Sequence, residues 1–329
     1  MGKGIGRLIQ VGIAKETSRG TAIAQPTFMI AFADLAVDDK NERALDEQAL
    51  GVIEGSAGES IVREWSEAEI TAPIGVEHFP LVLLATLGSL STSIGTATGT
   101  PCTHTITVQE GAQHQSLTLH VDDPVGGQDY KHALAVPGSL ELAFERDNFL
   151  NYSVNFMAKQ GAAASVTPVA VTEKRFLPQH LTFRVATTQA GLGSGTAIAL
   201  KSAMLTINQN AEGDYVLGST APVDFLNKQF EIEGEVEALW QSETDFKTNS
   251  LTGTARALRF DIINTGEVIG GGSTNPSLRI DLHKVIFEPI TRAIKLNDMV
   301  SQKLSFKAHY SVTDSKMVTI TAVNATQSY

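Results

Sequence analysis

Apolar and polar residues alternate one by one along much of this chain. Leu117-Thr118-Leu119-His120-Val121, Leu140-Glu141-Leu142-Ala143-Phe144 and Leu304-Ser305-Phe306-Lys307-Ala308 all follow the pattern. A period of two predicts strands with one buried and one wetted face. The longest example is Phe230 to Trp240. Side chains on a strand alternate between faces, so Glu231, Glu233, Glu235 and Glu237 share one face. Phe230, Ile232, Val236, Ala238 and Trp240 share the other. Two stretches carry a helical pattern instead. Phe79 to Leu87 has Pro80 in its first turn and Gly88 just beyond its end. A second helix is expected after Trp240, capped by Ser242 with Asp245 three residues on. The fold class is therefore mainly β, either all-β or a β-rich α+β arrangement with few helices.

The same order of pieces occurs twice. Leu35-Ala36-Val37-Asp38-Asp39-Lys40-Asn41-Glu42 is echoed by Leu205-Thr206-Ile207-Asn208-Gln209-Asn210-Ala211-Glu212. A polar strand follows each, 61–72 and 229–240, then a helix, near 79–87 and near 242–252. Gln115 to Leu119 is echoed by Pro276 to Ile280, and Val154 to Ala158 by Leu304 to Ala308. Five matches in one order point to an internal duplication. Gly161 to Pro168 is rich in small residues and ends in proline, as linkers often do. The expected division is thus 1–162, including an N-terminal arm, and 163–329. The segments Ser89 to Thr103 and Thr187 to Thr196 read as long loops of small residues.

Composition narrows the function. The 329 residues are 42% hydrophobic, enough for a sizeable core. The longest apolar run, Leu81 to Leu87, is far short of the roughly 20 residues a helical membrane span needs. No secretory signal is read at the N-terminus, and a single cysteine, Cys102, excludes an intrachain disulfide framework. Both favour folding in the cytoplasm. A net charge of −11 argues against a basic nucleic-acid-wrapping face, and a negative surface repels DNA.

No catalytic, cofactor or metal constellation emerges. His114, His120 and His132 lack metal-ligand spacing, and Cys102 has only His104 as a nearby base. Ser194 in Gly191-Leu192-Gly193-Ser194-Gly195 misses the nucleophile-elbow pattern. Gly270-Gly271-Gly272 is followed by no G-K-[ST]. Asp38-Asp39-Lys40 and Asp122-Asp123-Pro124 read as turns.

Gly12-Ile13-Ala14-Lys15-Glu16-Thr17-Ser18-Arg19-Gly20-Thr21-Ala22 resembles the opening of the phage tail tube (major tail) proteins. Asp46 to Gly55, ahead of a strand holding Trp65, resembles the piece that follows in that family. The likeness covers about the first 90 residues well and the rest in layout. It implies a structural role with no cofactor, in tandem tube-like β-sandwich domains, each flanked by one helix. Tube domains close into rings whose inner sheets line a channel, and the rings stack. The duplication then suggests three chains per ring, a trimeric pseudo-hexamer. The implied partners are further copies of the chain, the tape measure protein in the lumen, tail terminator and distal tail proteins, and DNA in passage, with no membrane insertion. The place is the virion tail, assembled in the host cytoplasm. The glutamate stripe Glu231, Glu233, Glu235 and Glu237 is expected to face the lumen, its unpaired carboxylates offering phosphates no attraction. The competing expectation is a solvated outer face answered by Lys303, Lys307 and His309. In the first half, Glu67 and Glu69 share a face with Trp65, while Glu64 falls on the other. The alternatives for the whole chain are the inner tube of a contractile tail or related injection machine, and a lectin- or adhesin-like β-sandwich binding module.

Overall fold

A computed structural model describes residues 5–95, 100–124, 127–168, 173–239, 246–289, 291–293 and 301–329. In chain order the first half holds β1 (Gln10–Lys15), β2 (Phe28–Ile30), β3 (Asp34–Asp46), β4 (Gly58–Pro73), α1 (Phe79–Leu87), β5 (Gly88–Ile94), β6 (Cys102–Val108), β7 (Leu117–Asp122), β8 (Asp129–Glu145), β9 (Asn151–Ala158) and β10 (Ala162–Ala164). The second holds β11 (Leu181–Ala186), β12 (Thr196–Ile198), β13 (Leu200–Asn208), β14 (Glu212–Asp214), β15 (Asp224–Leu226), β16 (Glu231–Leu239), α2 (Lys247–Thr252), β17 (Arg256–Ile263), β18 (Ser277–Phe287), β19 (Thr291–Ala293), β20 (Ser301–Ala308) and β21 (Val318–Asn324). The fold is mainly β, as the alternation predicts.

The strands form two layers. The inner layer runs β3-β4-β9-β8-β13-β16-β20 and ends on β18 and β19, antiparallel at every step. The outer layer has two parts. One runs β2-β1-β7-β8-β10. The other runs β12-β11-β17-β18-β21-β6-β5. Two long strands belong to both layers. β8 pairs with β7 up to Ala135, then with β9 and β13. The crossover is marked by Leu134 at φ 56° and by a bulge between Pro137 and Ser139. β18 likewise passes from β17 and β21 to β20.

Between the layers lies one core shared by both halves. Ile70, Val154, Leu140, Ile207 and Ile232 sit side by side on successive inner strands, and all are fully buried. Gly234 belongs to this face. A Cβ there would meet the Phe306 ring at 2.5 Å, so glycine makes room for a core phenylalanine. Phe144 and Phe260 join the layers across the halves, with ring centroids 5.4 Å apart. The helix α1 forms as expected, and all nine residues are buried. Gly88 ends it at φ 90°, where a side chain would also strike the His114 ring.

Several sequence expectations change. Ser89 to Thr103 is largely the hairpin β5–β6, and β6 extends the second half's outer sheet through β21. Asp38-Asp39-Lys40 lies within β3 rather than in a turn. The division at 162/163 falls inside β10, which pairs with Lys131, Tyr130 and Asp129. Residues 115–119 do not occupy the place of 276–280. By pairing, β7 stands where β17 does, and Leu278 is in β18, the counterpart of β8. The N-terminal segment is a strand of its own sandwich from Gln10 on, with Val11 and Ile13 fully buried. Ser242 and Asp245 lie outside the described residues, and the second helix begins at Lys247.

Candidate functional site

The wetted face of the inner layer is an extended polar surface, and strand register composes it. One transverse row reads Asp34-Thr71-Ser153-Glu141-Thr206-Glu233-Lys307, each residue the cross-strand partner of the next. A second reads Ala36-Glu69-Asn155-Ser139-Asn208-Glu231. A third reads Pro73-Asn151-Ala143-Met204-Glu235-Ser305. Carboxylates and small hydroxyl or amide side chains dominate, and aromatic side chains are nearly absent. Small donors bridge the strands: Thr71 Oγ1 to Ser153 Oγ at 3.2 Å, Ser153 Oγ to Glu69 Oε1 at 3.3 Å and Asn155 Nδ2 to Ser139 Oγ at 3.2 Å.

The four stripe residues share this face, but they are not unpaired as expected. Lys303 Nζ lies 2.7 Å from Glu235, and Lys307 Nζ lies 2.8 Å from Glu233 and 3.4 Å from Glu231. Lys201 stands 3.9 Å from Glu237. The register explains it: β20 sets Lys307 opposite Glu233 and Lys303 opposite Glu237. Four carboxylates in a line repel one another, and lysines on the next strand relieve that repulsion. The hydrogen bond and charge of Glu235 raise the Lys303 pKa, and Glu233 does the same for Lys307. His309 is held through its backbone N–H, which donates to Lys284 O. On the first-half side, Glu67 pairs with Lys40 and accepts from Trp65 Nε1 at 2.9 Å. The Lys40 hydrogen bond, then that of Trp65, holds Glu67 below the usual carboxylate range.

Even so, acid prevails. Asp38, Glu67, Glu69, Glu141, Glu145 and the four stripe glutamates face Lys40, Lys201, Lys303 and Lys307. Glu141 and Glu145 were missed in the sequence. The signal was present, because Glu141 alternates with the buried Leu140 and Leu142.

The opening motif is a clamp rather than a surface. Glu16 is buried and accepts from Gly20 N (2.7 Å), Ser116 Oγ (2.6 Å), Thr118 Oγ1 (3.1 Å) and Leu134 N (2.8 Å). It thus secures β7 and the crossover of β8. Arg19 reaches the second half, with Nη2 2.6 Å from Asp224 Oδ1 and 2.9 Å from Phe225 O. Of the residues set aside for chemistry, His120 and His132 lie close together on the paired strands β7 and β8. His104 binds Asn324 and Thr92, and Cys102 is buried. Among the described residues no group of three or more His, Cys, Asp or Glu is placed to hold a metal.

The mainly β, sandwich-like fold agrees with the fold class expected from the sequence. Residues 6–308 match the family model described as phage tail tube protein. The chain belongs to that family. No curated protein matches it. As a tail tube protein it is a structural component of the phage virion tail, and it self-assembles with other tail components into a tube.

Proposed function

We propose that this tail tube protein forms rings of three chains, in which the acid-rich inner face lines the channel. The observation that carries the reading is the junction of the halves. β8 and β13 pair over Ser139–Glu145 and Asn208–Ser202, so the polar rows run unbroken from one half into the other. Each half supplies four inner strands in the same order, β3-β4-β9-β8 and β13-β16-β20-β18. We read them as tandem tube-like domains meeting after β10, so that three chains make six tube units.

A lumen lined with small hydroxyls, amides and lysine-tempered carboxylates suits a conduit. Excess negative charge repels phosphate, and few apolar or cationic groups are there to grip passing DNA. The same lumen would hold the tape measure protein before ejection. The tube ends would meet the tail terminator and distal tail proteins, and assembly would take place in the host cytoplasm.

Thiol labelling tests the lumen. Thr206→Cys and Leu217→Cys are each assembled into tubes and treated with a bulky polymer-linked maleimide. Leu217 is fully exposed on the β14–β15 connection, and the native Cys102 is buried. Cysteine at 217 should label in tubes, whereas cysteine at 206 should label only in free subunits. Equal labelling of both in tubes would refute the lumen assignment.

A further inference from the structure

The two halves build the same long hairpin and use it differently. Phe156 and Phe306 hold equivalent places, within 154–158 and 304–308, with Ala68 opposite the first and Gly234 opposite the second. Val37 is opposite Ala68 as Leu205 is opposite Gly234, so Val37 and Leu205 correspond. Seven residues after Val37, Ala44 is opposite Ser60, and seven residues after Leu205, Glu212 is opposite Leu226. Asp46 is opposite Gly58 as Asp214 is opposite Asp224. In both hairpins the returning strand takes eight residues to cover the same ground, from Ser60 to Ala68 and from Leu226 to Gly234. β14–β15 is therefore the second half's version of the far end of β3–β4.

The two then take different paths. In the first half the ladder runs on through its bulge between Glu42 and Arg43, and every residue from 41 to 63 is exposed. The result is an arm standing clear of the sandwich, with Leu50, Val52 and Ile53 bare near its end. In the second half the ladder breaks after Asn208. Asn210 takes the left-handed conformation, φ 49°, and its Nδ2 donates to Gln229 O at 2.7 Å. β14–β15 leaves the large sheet there and forms a two-stranded sheet of its own. This hairpin lands on the first half. Phe225 is fully buried against Leu134 and Val136, with Trp65 and Met157 packed around them. Arg19 holds Asp224. Beside the arm's bulge, the Arg63 guanidinium lies over the Tyr215 ring, 5.2 Å from its centroid, and Glu64 N donates to Thr220 O at 2.9 Å.

We propose that the hairpin of 209–230 is a brace rather than a second arm: bent back at Asn210, it fixes the angle at which the arm of 41–63 leaves the sheet. Its placement carries the assignment. The brace grips β4 at Arg63 and Glu64, where the fully exposed stretch begins and where a bulge lets the ladder bend. Tyr215 and Asp224 are thus positioning residues for a surface to which they do not belong. An arm held at one angle has less freedom to lose when its apolar end is covered. Each chain presents one arm, although it encodes two equivalent hairpins.

Spin labels at Val52→Cys on the arm and Glu141→Cys on the inner face read the angle as a distance. With the brace intact the subunit should give one narrow distribution. Tyr215→Ala should broaden it and leave the melting temperature nearly unchanged. Arg63→Gln alters the same contact from its exposed side and should do likewise if Tyr215→Ala folds poorly. Amide exchange separates a loosened arm from a loosened fold: 42–46 and 58–64 should lose protection in Tyr215→Ala, whereas 202–208 should keep it. A broad distribution with the brace intact, an unchanged one in both variants, or equal loss of protection at 202–208 would overturn the brace. So would a second free-standing arm built from 209–230 in reconstructed tubes. The measurements on the subunit need no tube, so they hold or fail independently of the ring reading above.

Discussion

The two halves of the sheet share a hydrophobic skeleton and differ in what holds it. In the first half the outer sheet is anchored by a buried carboxylate, Glu16, serving two hydroxyls and two backbone amides. In the second it is anchored by a buried ion pair. Arg259 Nε and Nη2 reach Asp281 at 2.6 and 2.8 Å, and Gln189 Nε2 adds a bond of 3.2 Å. The helices diverge further. α1 is buried along its whole length, whereas α2 has six residues of which Asn249 alone is buried. On the inner face, β16 carries four glutamates where β4 carries Trp65, Glu67, Glu69 and Thr71. The lesson is that alternation and β pairing order fix the sandwich, while the polar groups that lock it are free to vary.

The largest expected effects come from breaking either anchor. Asp281→Asn should cost about 3–5 kcal/mol, because it leaves a buried guanidinium uncompensated. Glu16→Ala should cost about as much, by stranding three buried donors and one half-buried donor at about 1 kcal/mol or more each. Urea unfolding measures both. If either variant lost less than about 1 kcal/mol, its anchor would not be holding its half.

The helices come next. Leu83→Ala in α1 should cost about 3 kcal/mol through the cavity it leaves. Leu251→Ala in α2, at a side chain 73% exposed, should change little. Equal losses by the same measurement would erase the contrast between the helices.

Acid should act on the first half through its histidines. Burial holds His114 and His132 below the ordinary histidine value, and burial together with the nearby Lys131 and His132 takes His120 to about 4. Among the described residues, neither ring nitrogen of His120 has a partner. A depressed histidine stays neutral when folded, while the unfolded chain takes up a proton below about pH 6.5. Stability should therefore be complete above that pH and fall between about pH 6.5 and 4. His120 accounts for up to about 3 kcal/mol of the loss. His120→Leu should flatten the fall in melting temperature over this window, and an unchanged slope would contradict the assignment.

The smallest effect belongs to the inner face. Lys303→Gln and Lys307→Gln remove exposed partners of the stripe, and exposed pairs contribute little. Both should melt almost as the unmodified protein does. A loss approaching that of Asp281→Asn would mean that the lysines hold the fold rather than temper a surface.

How legible this was depended on side-chain type. Phe230 to Leu239 could be read because each glutamate alternates with a buried or small residue. The stripe's lysines could be named but not placed, since only the β16–β20 register sets Lys307 opposite Glu233. The hairpin β5–β6 was hidden because Ser89, Ser91, Thr103 and Thr105 occur as readily in loops as on an edge hairpin. Asp38-Asp39 looked like a turn because aspartates cap turns, yet a long cross-strand partner carries them in β3. The role of Glu16 was illegible, because all its partners but Gly20 lie about a hundred residues away.

Electron microscopy of assembled tubes, reconstructed without imposed symmetry, tests the central claim most directly. The expected result is a hollow tube of three-chain rings with six similar units around the channel and the face of Glu141, Thr206 and Glu233 turned inward. A tube with that face turned outward, or rings of six whole chains with one half outside the channel wall, would contradict it.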